Sequence, residues 1–177
     1  MNLPNKITVF RLFLIPVFVA AFYLGDLGWL YAGLVFVLAS FTDFLDGYLA
    51  RKYSLVTNLG AFLDPVADKV LVFASLVLLS GEGIIPAWSI ILIIGRETLI
   101  NGFRLIAVEK GVVISASYLG KVKTVSQMVS LILLLFSPAW GPLALIGLVV
   151  YWIAVAATVV SGIEYIYQGR DLLSDRE

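Results

Sequence analysis

Apolar positions fall into six long blocks separated by short polar breaks, near Ile7–Leu24, Trp29–Ala50, Phe62–Ser80, Pro86–Val108, Leu119–Ser137 and Pro142–Ile163. A bilayer core of about 30 Å is crossed by roughly 20 apolar residues in a helix, so the pattern predicts six transmembrane helices and an all-α polytopic fold. The breaks alternate in charge. Gly25–Gly28, Gly81–Ile85 and Pro138–Gly141 carry no Lys or Arg. The other breaks and the ends carry Lys6, Arg11, Arg51, Lys52, Lys110, Lys121, Lys123, Arg170 and Arg176. Basic residues accumulate on the cytoplasmic side of membrane proteins, which predicts that both termini and the basic loops are cytoplasmic.

The first block follows Lys6 and includes Arg11, as in a signal peptide. It has no clean small-residue cleavage site and the next block begins almost at once, so it is expected to stay as the first helix. Met1–Lys6, with Pro4, is expected to form a short interfacial segment, and the polar tail Gln168–Glu177 to fray. No internal repeat or low-complexity segment is evident, and residues 1–177 are read as one membrane domain.

Composition sharpens this picture. Of the 177 residues, 61% are hydrophobic and the mean hydropathy is +1.02, an excess over soluble domains that makes lipid the expected solvent. The chain has no Cys and no His. Thiolate nucleophiles, disulfides, Cys/His zinc sites and histidine bases are therefore excluded. Acid–base or metal chemistry falls to Asp, Glu, Lys or Tyr, and no nucleic-acid partner is expected.

Charges inside membrane segments are costly and usually functional. The densest group runs from the second block into the third: Asp43, Asp46, Gly47, Ala50 and Arg51, then Gly60, Asp64 and Asp68. Asp43 and Asp46 are three residues apart and Asp64 and Asp68 four apart, so each pair shares a helix face. Four ionised carboxylates crowded in low dielectric must protonate, pair with cations or hold metal. Hard oxygen donors suit Mg²⁺ or Mn²⁺, which typically join carboxylates to substrate phosphates. Gly47, Ala50 and Gly60 would allow close approach of a nucleotide or of a neighbouring backbone, and Arg51 offers a planar donor fork for phosphate. Helix capping would by itself explain Asp64, which precedes Pro65, but not the whole pattern.

The string Asp-x-x-Asp-Gly-x-x-Ala-Arg-x8-Gly-x-x-x-Asp-x-x-x-Asp, complete in Asp43–Asp68, resembles the signature of the CDP-alcohol phosphotransferases. The resemblance implies a six-helix membrane enzyme, usually homodimeric, with a dinuclear metal site. Such an enzyme transfers a phosphatidyl group from CDP-diacylglycerol to an alcohol and releases CMP. By position Asp43, Asp46, Asp64 and Asp68 would be metal ligands, with Asp68 also the base for the incoming hydroxyl. Gly47, Ala50, Arg51 and Gly60 would meet the CDP-lipid.

The acceptor is read elsewhere. Arg96 and Arg104 lie in the fourth block, eight residues apart and about 80° out of phase, so both can line one cavity. With Lys121 and Lys123 at the start of the fifth block, they suit an acceptor that already bears a phosphate. An ion pair of Arg96 with Glu97 or Glu164 is the competing reading. Lys110, Lys121 and Lys123 could instead be topological anchors, and Arg11 a helix-end snorkel as easily as a phosphate contact. Three further stretches, Asn2–Arg11, Gly95–Gly111 and Ala116–Thr124, are similar to bacterial members of the family that use sn-glycerol 3-phosphate. That similarity implies phosphatidylglycerophosphate as product and a bacterial inner-membrane location. A related enzyme acting on inositol phosphate, serine or an existing phospholipid is the nearest alternative. A small cation-coupled transporter would be expected to show repeats and broken midplane helices, and a structural membrane protein would use the charges only to pair helices.

Overall fold

The computed structural model describes residues 3–52, 58–109 and 117–173, with side chains at 6–43, 45, 63, 66–108 and 117–167. Among them there are six long helices and no strand: α1 Leu3–Phe22, α2 Gly28–Lys52, α3 Asn58–Gly81, α4 Ala87–Glu109, α5 Tyr118–Phe136 and α6 Pro142–Leu173. Each coincides with one apolar block. A single 3-10 turn, Gly25–Leu27, links α1 to α2.

Two ends differ from expectation. Leu3–Lys6 belongs to α1 and forms no separate interfacial segment, because Pro4 sits in the first turn, where its missing N–H costs nothing. At the other end α6 runs on to Leu173, ten residues past the last apolar position of its block. Hydropathy marks where lipid contact stops, whereas a helix ends only where capping or propensity stops it.

The core is aliphatic and aromatic. Phe18 of α1, Phe36 of α2, Leu76 and Leu79 of α3, Ile93 of α4, and Leu131, Leu134 and Leu135 of α5 are fully buried, as is Tyr151 of α6. α1 packs on α2 and α3, α5 on α2 and α6, and α4 on α6 and α3. A buried hydroxyl pair, Ser89 with Tyr151 at 2.5 Å, ties α4 to α6. Small residues permit the closest approaches. A Cβ on Gly33 would lie 2.9 Å from the Phe136 ring, and one on Gly147 2.9 Å from Leu134, the close packing that membrane helices use in place of hydrophobic drive.

The outer surface is as apolar as the core. Phe13, Ile91, Leu99 and Leu145 are each about two-thirds exposed or more. Among the described residues three segments are long and apolar enough to cross a membrane, Gly25–Asp43, Tyr118–Phe136 and Pro142–Tyr167, yet only 28 to 33% of each is buried within the chain. Water does not tolerate so large a continuous apolar surface on a monomer. This is a membrane protein whose described residues form helices joined by short turns.

The break between α1 and α2 is sterically tight. Gly25 adopts φ +59°, and a Cβ on Gly28 would lie 2.4 Å from the backbone oxygen of Phe22. Backbone cannot swing aside as a side chain can. Gly28→Ala is therefore expected to destabilise the detergent-solubilised protein by about 1–3 kcal/mol. Gly81→Ala, where nothing lies within 4 Å, should leave the melting temperature within a degree or two of wild type or slightly above it. Equal melting temperatures for the two variants would contradict this packing.

Candidate active site

α2 and α3 are joined by only five residues and pack on each other, which makes them antiparallel neighbours. Asp43 lies nine residues before the end of α2, and Asp68 ten after the start of α3. At 1.5 Å per residue they sit at similar depths, about 14 and about 15 Å from that end of the pair. Asp43 accepts an ion pair from Arg11 of α1. Arg11 is fully buried, so it does not snorkel; its pair with Asp43 locks α1 to the aspartate-bearing end of α2. Asp46, Gly47, Ala50 and Arg51 lie within α2, and Gly60 and Asp64 within α3. The side chains of all six fall outside the described residues, as does Lys110. The expected assembly of four carboxylates is thus described at Asp43 and Asp68 alone.

Charge is concentrated in a second place, around Glu97 of α4. Its Oε2 accepts from Lys69 Nζ of α3 at 2.8 Å, and its Oε1 from Lys123 Nζ of α5 at 2.6 Å and from Arg96 Nη1 at 3.0 Å. One carboxylate ties α3, α4 and α5 together at a single level. Arg96 gives its other terminal nitrogen to Ser161 Oγ of α6 at 3.0 Å. A Cβ on Gly162 would lie 3.3 Å from the Arg96 stem, so a small residue there gives the arginine room to cross α6. Tyr165 of α6 is buried; its hydroxyl accepts from Arg104 Nη2 at 2.6 Å, and its ring lies beneath both guanidinium groups, at 5.7 Å from Arg96 and 5.4 Å from Arg104. Both contacts fit cation–π attraction.

These groups border a cleft of about 480 Å³ whose wall includes Lys69, Arg96, Arg104, Lys121 and Glu97. Four cationic side chains thus face one carboxylate. The helix terminus adds to the excess. Ser117 caps α5 by accepting from Gly120 N at 3.1 Å, and Gly120 and Lys121 of that first turn, with Thr124 of the next, line the cleft, so the positive end of the α5 dipole adjoins it. Residues 96, 97, 100, 101 and 104 of α4 form one face, the i, i+4, i+8 spacing of a helix. The cleft therefore combines fixed positive charge, planar Arg donors and an aromatic floor, a setting for a phosphorylated polar molecule.

Comparison with known proteins agrees. The profile of the CDP-alcohol phosphatidyltransferase family matches residues 1–160. The chain belongs to this family. Among similar proteins, one from Bacillus subtilis is 44% identical over 182 aligned positions and named CDP-diacylglycerol–glycerol-3-phosphate 3-phosphatidyltransferase; the alignment covers 93% of each chain. One from Rickettsia felis with the same name is 42% identical, also over 93% of each. One from Mycobacterium tuberculosis, named probable phosphatidylglycerophosphate synthase, is 40% identical over 93% of this chain and 80% of its own. The family resemblance read from Asp43–Asp68 is borne out. The family uses divalent metal ions. Asp43 and Asp68 suit such an ion in kind, since they are hard oxygen donors, part-exposed, in a chain without His or Cys. Among the described residues no group of three acidic side chains is gathered.

Arg96, Arg104 and Lys121 were expected together, and all three border the cleft. Arg96 also makes the Glu97 ion pair that was its competing reading. Lys69, Glu97, Ser161 and Tyr165 were not singled out as site residues. Lys69 directly follows Asp68 and Glu97 directly follows Arg96, so charge adjacency was the available signal; for Ser161 and Tyr165 there was none. Removing Glu97 would leave Lys69, Arg96 and buried Lys123 facing one another. Glu97→Gln is expected to cost about 3–5 kcal/mol of stability, and Glu97→Gln with Lys123→Met to recover part of that loss. A thermal-stability cycle over the four proteins measures the coupling, and additive losses would show that the pair is not coupled.

Proposed function

We propose that this chain is a CDP-diacylglycerol–glycerol-3-phosphate 3-phosphatidyltransferase: it transfers the phosphatidyl group of CDP-diacylglycerol to sn-glycerol 3-phosphate, giving phosphatidylglycerophosphate and CMP for phospholipid synthesis. The names of its relatives supply the reaction. The observation that carries the acceptor is the cleft with four cations against one carboxylate, which shares Lys69 and Glu97 with the wall of a smaller cavity containing Asp68.

In this reading the acceptor phosphate lies against Arg104, Arg96 and Lys121, and its free end reaches Asp68. Asp68 takes the proton of the terminal hydroxyl. The hydroxyl oxygen bonds to the phosphorus that carries diacylglycerol. The bond from that phosphorus to the CMP oxygen breaks, and CMP leaves with the electron pair. Asp43, Asp46, Asp64 and Asp68 would hold Mg²⁺ or Mn²⁺, two ions in all. When bound, such ions neutralise the pyrophosphate and stabilise the leaving CMP. Gly47, Ala50, Arg51 and Gly60 would adjoin the CDP-lipid.

All six helices cross the membrane in this account, as one domain over residues 1–177, with both termini and the site cytoplasmic in a bacterial inner membrane. Charges carried within the spans are accommodated inside the bundle. In α3 and α4 those charges include Lys69, Arg96 and Glu97, which face one another inside the bundle and not lipid. Membrane lipid and a second copy of the chain, forming a homodimer, complete the assembly.

Two variants test the roles. Asp68→Asn keeps the shape of the side chain and removes the base, so turnover is expected to fall at least about 100-fold while CDP-diacylglycerol still binds; near-normal kcat would exclude Asp68 as the base. Arg104→Ala removes a charge-assisted hydrogen bond and is expected to raise KM for glycerol 3-phosphate about 10- to 150-fold with little change for CDP-diacylglycerol. An unchanged acceptor KM would move the phosphate elsewhere.

A further inference from the structure

Adjoining the cationic cleft is a smaller cavity of about 60 Å³ bordered by Asp68, Lys69, Glu97, Lys123, Thr124 and Gln127. It shares Lys69, Glu97 and Thr124 with the cleft, so the two spaces meet along one wall. Gln127 of α5 is 2% exposed, and its Nε2 has no hydrogen-bond partner among the described residues. Its neighbours have spent their polar groups. Lys123, one turn earlier on the same face, donates to Glu97 at 2.6 Å. Ser126 and Ser130 donate to carbonyls of their own helix, each at 2.7 to 2.8 Å. A buried amide donor without an acceptor is unfavourable, and buried polar groups in native proteins are nearly always paired. This one borders a cavity that also touches Asp68.

We infer that Gln127 is a specificity-determining residue whose amide donates to the non-reacting C2 hydroxyl of the acceptor. The inference rests on the proposed reaction. With the phosphate against the cations of the cleft and the terminal hydroxyl at Asp68, the middle carbon of the acceptor falls in the smaller cavity. A water-sized group needs roughly 10–15 Å³, so the cavity takes about four such groups, the two carbons and two hydroxyls of a vicinal diol. The C2 hydroxyl is then the acceptor that the Gln127 N–H lacks. A site that hydrogen-bonds a substrate hydroxyl rejects the analogue without it, because its own donor is left unpaired.

The test compares sn-glycerol 3-phosphate with 3-hydroxypropyl phosphate, which lacks only the C2 hydroxyl, by CMP release from CDP-diacylglycerol. The wild-type enzyme is expected to prefer glycerol 3-phosphate about 10- to 100-fold in kcat/KM. Gln127→Met, and Gln127→Leu beside it, should bring that preference to within about threefold, chiefly by lowering activity on glycerol 3-phosphate. The preference is a ratio within one preparation, so loss of folded enzyme cancels. A wild-type preference kept by both variants would overturn the role of Gln127 and leave the proposed reaction standing. Equal use of the two acceptors by wild type would overturn it also, and would mean that the amide meets only water. No CMP with either acceptor, from wild-type protein that binds CDP-diacylglycerol, would instead overturn the proposed reaction and this inference with it.

Discussion

A bundle surrounded by lipid cannot leave a charge unpaired in its interior, and the carboxylate of Glu97 is where this chain meets that constraint. It receives Lys69 from α3, Lys123 from α5 and Arg96 from its own helix. Three helices are thereby fixed at one depth by one side chain. Breaking such a set by removing one member is far more costly than the net worth of the set. The cluster still carries more positive than negative charge. That surplus is directed into the adjoining cleft, where Arg104 and Lys121 add to it. The same interaction that holds the helices therefore makes a place for an anion.

A second anchor works at the other end of the helix order. Buried Arg11 pairs with Asp43, and so connects the first helix to the aspartate-bearing segment. Away from the two anchors the packing is apolar, with Phe18, Phe36, Leu76 and Leu131 fully buried. Lipid offers no hydrophobic drive to bring helices together. Close contacts at Gly33 and Gly147, the Ser89–Tyr151 hydroxyl pair and the two ionic anchors take over that role. Polar residues inside the bundle thus serve assembly and chemistry together.

Much of this was legible in the chain itself. The six blocks gave the six helices to within a few residues at most ends, because a lipid-facing surface imposes long apolar runs. The spacing of Asp43, Asp46, Gly47, Ala50, Arg51, Gly60, Asp64 and Asp68 was sufficient to point to the family, and the shared lining by Arg96 and Arg104 followed from helical phase. What could not be read were contacts made across helices. Arg11 and Asp43 are 32 positions apart and Arg104 and Tyr165 61 apart, and nothing local in either segment specifies the partner. Tyr165 lies two residues beyond the last apolar block read from the sequence. Nothing local in the sequence marks Gln127; its burial with an amide nitrogen lacking a partner among the described residues sets it apart.

The central claim is that a cationic cleft beside Asp68 selects a phosphorylated alcohol as the acceptor of a phosphatidyl group. It is tested most directly by incubating the purified protein with CDP-diacylglycerol and Mg²⁺ and measuring CMP release with sn-glycerol 3-phosphate, glycerol, serine, inositol or inositol phosphate in turn. The account predicts rapid release with glycerol 3-phosphate and little with the three acceptors that lack a phosphate. Equal rates with glycerol and glycerol 3-phosphate, or release with serine alone, would contradict it.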